Sequence, residues 1–198
     1  FGCKAFPWSH SILCVAAARQ IQRPLKLEVS RRQMTANTGH RSHTEQNLQL
    51  VAEADGKLMA ISHHAKSCTS PVDVFTEPCT GITPVMYKAP NLNLSQEIGV
   101  LNVGVPTFMR APGETPGMWA MESAMDELAW ALKMDPVELR LKNETQKHQR
   151  TGLPFSAKHF AECLQIGAEK FGWKNRSLEP RSNPQDGKLI GWGMAAAT

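Results

Sequence analysis

The spacing of apolar positions changes several times along the chain, and each change predicts an element. Between Ser9 and Gln22, residues Ile12, Val15, Ala16 and Ile21 recur near a 3.6-residue period. Ser9 or Ser11 is available as cap and Pro24 lies just past the end, so this run predicts a helix. Leu25 to Val29 alternates as a strand, and Arg31 to Thr38 reads as a short helix or turn. Gln46 to Ala54 and Lys57 to Lys66 alternate on either side of Asp55-Gly56, which predicts a hairpin. Ile82 to Tyr87 and Ile98 to Val105 read as further strands flanking a loop from Pro90 to Asn93. After the proline- and glycine-rich segment 106–117, Met118 to Met134 is strongly helical, with Met118, Met121, Met125, Leu128 and Leu132 on one side. Asp135-Pro136 supplies N-cap and first position for a helix over Val137 to Asn143. Another helix runs from a Ser156 cap to Phe171 and stops at Gly172. A linker over 175–187 then leads to a last strand, Lys188 to Ala197. Helices and strands in this mixture predict an α+β fold.

Composition narrows the class without naming a chemistry. A chain of 198 residues, 41% hydrophobic and 20% charged, carries enough apolar material for a globular core and excludes a disordered polymer. No run approaches the length of apolar residues that would span a bilayer. The net charge of +4 arises in the first fifty residues, where seven Lys/Arg face two Glu. Without interleaved aromatics that excess reads as a solvated face, not a nucleic-acid surface. Five dispersed cysteines, with no CxxC and no zinc spacing, imply no disulfide framework. His63 and His64 point to opposite faces of a strand, and the other histidines form no ligand pair, so no metal site held by side chains is expected. The chain opens on Phe1 and closes at Thr198 within a predicted strand, which is expected of a piece of a longer polypeptide.

Two segments break the local rules of secondary structure, where sites tend to lie. Phe1-Gly2-Cys3-Lys4 is a small-residue turn feeding a helix, where backbone N–H groups can approach an anion. In PTFMRAPGE, residues 106–114, an arginine sits between two prolines in a stiff loop that joins a strand to a long helix.

FGCK at 1–4, RRQMTANTGHR at 31–41, YKAPN at 87–91, PTFMRAPGE at 106–114 and DPVELRLKNE at 135–144 occur in an order and spacing that resembles the molybdenum-cofactor-binding large subunit of the xanthine dehydrogenase and aldehyde oxidase family. The nearest likeness is to bacterial, periplasmic-type aldehyde oxidoreductases that use molybdopterin cytosine dinucleotide, leaving the compartment periplasmic or cytoplasmic. The resemblance implies a first cofactor-binding domain over 1–174, followed over 175–198 by a linker and the first strand of a second.

It further implies that Phe1 and Gly2 lie against the molybdenum centre and that Arg110 is the catalytic arginine, with Ala111 beside it at the cofactor. Ala5, Phe108, Met109 and Pro112 would line the substrate pocket. Arg140 and the stretch Gly191-Trp192-Gly193-Met194 are weaker candidates for cofactor or pocket contacts, and at Arg140 a helix-surface charge is the favoured reading. Glu114 would support the Arg110 loop, and the base glutamate would lie beyond Thr198. Purine-oxidising members carry a glutamate where this chain has Ala5, an arginine near Pro78 and a phenylalanine at Pro112. Lacking these, the chain resembles aldehyde oxidisers more. The implied reaction is hydroxylation with water as oxygen source, with electrons leaving through 2Fe-2S clusters to FAD on partner subunits. Alternatives are a dehydrogenase of N-heterocycles of the isoquinoline or xanthine type, or a non-enzymatic α+β module that binds an acidic partner.

Overall fold

The structure is a computed structural model that describes residues 6–177, 179, 181–182 and 184–197. Helix α1 (Ser9–Ile21) starts at Trp8 without a side-chain cap, so neither Ser9 nor Ser11 plays that part, and it ends at Gln22 in the left-handed region (φ 52°). It buries none of its residues. The alternating stretch Leu25 to Val29 is not a strand: it finds no pairing edge among the described residues, so its backbone joins no sheet. Helix α2 (Arg31–Asn37) opens on a capping box in which Ser30 and Gln33 satisfy each other's backbone N–H groups.

Strands β1 (Thr44–Ala52) and β2 (Leu58–Thr69) form the expected hairpin, with Gly56 at φ 86° in the turn. Their antiparallel register places Leu48 opposite His63 and Leu50 opposite Ile61 on the inner face, and Glu45 opposite Lys66 on the outer one. The predicted strand over 82–87 is helical up to Met86: a 3₁₀ turn over Cys79–Ile82 passes directly into α3 (Thr83–Met86), and only Tyr87 is extended, bridging Glu144. Ile82 and Met86 are four residues apart, so one helical turn buries both as well as a strand would, and Pro84 sits in its first turn. This compact crossover lets β3 (Asn91–Val100) return parallel to β2. The predicted loop at 90–93 is therefore mostly strand, and the predicted strand at 98–105 is mostly loop. Pairing with β2 overrides the turn preference of the asparagines; Asn91 and Asn93 donate across to Met59 O and Ser62 Oγ.

Helix α4 (Glu114–Leu132) packs Met118, Met121, Met125 and Ala129 against the inner face of this three-stranded sheet. Leu128 and Leu132 pack against the same core, partly buried. Asp135 caps α5 (Pro136–Asn143) through Val137 N and Glu138 N. Helix α6 (Phe160–Phe171) starts at His159 without a side-chain cap, so Ser156 is not its cap; it stops at left-handed Gly172 and sends Phe160 edge-on against buried Tyr87. Beyond it, β4 (Pro184–Gln185) and β5 (Lys188–Leu189) form a minimal hairpin, and the predicted strand over 188–197 ends after two residues. Residues 190–197 instead lie irregularly against the helices, with Ala196 packed on the core. Among the described residues no helix is long and apolar enough to cross a membrane.

Candidate active site

Three separate segments meet around the loop at 106–113. Thr107 N donates to His40 O at 2.9 Å, which joins the loop to the end of the α2 segment. Gly39 is required there, because a Cβ would stand 2.7 Å from Thr107 Cβ and 2.9 Å from Trp8 Cη2. Phe108 stacks on Phe6 at a centroid distance of 5.8 Å and meets Phe75 edge-on at 5.5 Å, while Phe6 in turn meets Trp8. The chain entering α1, the segment after β2 and the arginine loop thus share one aromatic cluster.

The backbone turns sharply after Arg110. Ala111 lies at φ 58° and Gly113 at φ 78°. At Gly113 a Cβ would come within 2.6 Å of the Pro78 carbonyl carbon, so glycine is demanded twice over, by conformation and by space. The loop is gripped from inside. Arg41 donates to Arg110 O at 2.6 Å, to Ala111 O at 3.3 Å and to Glu77 Oε1 at 2.9 Å. The same Glu77 oxygen accepts Gly113 N–H at 2.5 Å. Glu77 is fully buried, and its backbone carbonyl accepts from Gln96 of β3. The supporting acid is therefore Glu77 and not Glu114, whose buried Oε2 finds no hydrogen-bond partner among the described residues. Burial and the Glu77 carboxylate together push the neighbouring Cys79 thiol up to about 11, which keeps it protonated and unreactive at neutral pH.

Arg110 itself is exposed and has no ion-pair partner among the described residues. Phe108 is exposed beside it, whereas Met109 and Pro112 are half-buried. Phe1, Gly2 and Ala5 lie outside the described residues.

Arg140 is neither a surface charge nor free to hold a cofactor. It is wholly buried, donating to Glu122 Oε2 at 2.9 Å, Asp126 Oδ1 at 2.8 Å, Pro136 O and Glu122 O. Glu122 also accepts from Tyr87 Oη and from Ala196 N. Burial and the adjacent Glu122 carboxylate drive the Tyr87 phenol far above its ordinary range, so it serves as a permanent donor. The Gly191 to Met194 stretch lines a separate cavity of about 780 Å³ together with Trp130, Trp173 and Arg176.

Residues 1–144 match the molybdopterin cofactor-binding domain. The chain belongs to that family. This molybdopterin cofactor-binding domain is 39% identical over 198 residues to the aldehyde oxidoreductase molybdenum-binding subunit PaoC of Escherichia coli strain K12, covering 99% of this chain and 27% of that protein. It is 34% identical over 148 residues to an aldehyde oxidoreductase of Megalodesulfovibrio gigas, covering 72% of this chain and 16% of that one. The aldehyde oxidoreductase structure from Desulfovibrio gigas superposes on 90% of the chain and 21% of its own length, with a TM-score of 0.70 and 26% identity. The carbon monoxide dehydrogenase of Oligotropha carboxidovorans shares the fold, with a TM-score of 0.69 over 88% of this chain and 23% of that one at 21% identity. The chain thus spans only 27% of the length of the first of these relatives.

The residues present fit such a cofactor. Among the described residues no three His, Cys, Asp or Glu side chains gather as a metal site. What the arginine loop offers is a cation that has no ion-pair partner among the described residues, on a tightly fixed backbone, which suits a negatively charged group that brings its own metal ligands.

Proposed function

We propose that this domain is part of the molybdenum-binding subunit of an enzyme that oxidises aldehydes to carboxylic acids with water as oxygen source. The cofactor in this reading is molybdopterin cytosine dinucleotide, with 2Fe-2S and FAD subunits as partners. The observation that carries it is the Arg110 loop: an exposed guanidinium without an ion-pair partner among the described residues, on a backbone fixed by buried charges, within a chain so similar to aldehyde oxidoreductase subunits.

When bound, the molybdenum–pterin group supplies the redox chemistry. The residues of this chain supply position and charge. Arg110 would hold the cofactor side of the pocket and stabilise negative charge that develops on the substrate oxygen. Phe108, backed by Phe6 and Phe75, offers an apolar wall that suits an uncharged substrate. Ala5, Pro78 and Pro112 bring no polar side chain for reading a purine.

The test is the full-length enzyme, assembled with its partners and assayed for molybdenum. Steady-state rates on benzaldehyde, isoquinoline and xanthine should favour the aldehyde, and Arg110→Ala should lower kcat/KM at least tenfold, about 1.4 kcal/mol, at unchanged molybdenum content. Preference for xanthine, or an unaltered kcat/KM, overturns the reading.

A further inference from the structure

Arg41 and Glu77 belong to neither strand pairing nor helix capping, yet they make four contacts to the arginine loop and to each other. The Arg41 guanidinium faces two successive loop carbonyls, at residues 110 and 111, and the Glu77 carboxylate faces the N–H at 113. Cation meets carbonyl and anion meets amide, so the charge pattern specifies which way each peptide group points. That orientation is strained. Ala111 holds a left-handed φ that a residue with a Cβ adopts only when its surroundings over-determine it.

The pair is poorly built for stability alone. Glu77 is fully buried, and its second oxygen, Oε2, has no hydrogen-bond partner among the described residues. Buried ion pairs often add little net stability over well-packed apolar residues, and this one leaves an acceptor unsatisfied besides. What it does secure is one geometry of the loop that carries Arg110 and Phe108.

We infer that Arg41 and Glu77 are positioning residues: a charge clamp that presets the Arg110 loop and acts on the reaction only through it. For its effect on turnover this inference rests on the proposed function; for its effect on the loop it does not. Lysine at position 41 cannot span a carboxylate and two carbonyls with a planar fork, so Arg41→Lys is no conservative change here.

The experiment uses the full-length subunit in its assembled enzyme, comparing wild type with Arg41→Ala, Arg41→Lys, Glu77→Gln, Arg110→Ala and the double variant Arg41→Ala/Arg110→Ala. Hydrogen–deuterium exchange of the peptide spanning 106–118 should accelerate at least tenfold in Arg41→Ala and Glu77→Gln, with the hairpin peptide 48–61 unchanged and molybdenum content intact. With benzaldehyde, kcat should fall at least tenfold and KM less than threefold, and the double variant should be no slower than Arg110→Ala within a factor of two. Unchanged exchange in the loop, or losses that multiply in the double variant, overturns the clamp. Should Arg41→Ala fail to fold, Arg41→Lys and Glu77→Gln carry the same readouts. If the wild-type enzyme oxidises no aldehyde, the functional reading falls, and the clamp is decided by the exchange data alone.

Discussion

Arg41, Arg110 and Arg140 are one residue type in three electrostatic settings. Arg110 keeps its charge in solvent, Arg41 is partly buried against the fully buried Glu77, and Arg140 is sealed between α4 and α5. The last is the most costly to disturb, because removing the cation strands the buried Glu122 carboxylate. We expect Arg140→Ala to lose about 3–5 kcal/mol of stability in urea unfolding, whereas Arg110→Ala should leave unfolding nearly unchanged. Sequence motifs could flag all three arginines but could not sort them, since burial depends on which helix closes over which. Glu77 escaped notice altogether, lying in a run with no periodicity; its only signal is its place just before Pro78 and the buried Cys79.

Elements were legible where local chemistry alone decides them. Asp55-Gly56 makes its turn, Asp135-Pro136 starts its helix and Gly172 ends another, because each acts on backbone groups within four residues. Asp135 also accepts from Trp173 Nε1 at 3.0 Å and pairs with Arg176 at 3.0 Å. Asp135→Ala should therefore lose about 1–2 kcal/mol, at the upper end for a cap, read as a lowered midpoint in urea. Gly113→Ala should disturb the loop more than the fold: a Cβ at positive φ against Pro78 forces the peptide at 113 away from Glu77. The expected result is faster amide exchange over 106–118 with little change in far-ultraviolet circular dichroism. The misread elements, 25–29, 82–87, 98–105 and 188–197, are those where apolar residues suggested a strand but no partner strand lay where that pattern placed it.

At the scale of the molecule, a sheet of three strands and one long helix bury a polar residue near their centre. His63 is fully buried, with its ring nitrogens against Thr83 Oγ1 at 2.8 Å and Gln46 Oε1 at 3.0 Å. Burial, with a smaller contribution from His64, pushes its pKa down to about 4 from 6.5. Between those values the unfolded chain takes up a proton that the folded chain refuses. Stability is thus fully present above pH 6.5 and declines as pH falls towards 4, by roughly 3 kcal/mol. Unfolding free energies measured from pH 7 to 4 should show this slope, and His63→Gln should flatten it.

The sequence by itself determined the α+β class, the hairpin, the capped start of α5, the glycine stop of α6 and the family, through motifs whose residues act on their near neighbours or occur in a set order. Only the tertiary structure decided which charges serve the arginine loop and which serve the core. Arg41 and Glu77 meet across 36 residues, and Glu77 meets Gly113 across another 36. Arg140 reaches Glu122 only once α5 folds back on α4. Those pairings follow from the parallel return of β3 and the packing of α4 on the sheet, long-range contacts that no local period encodes.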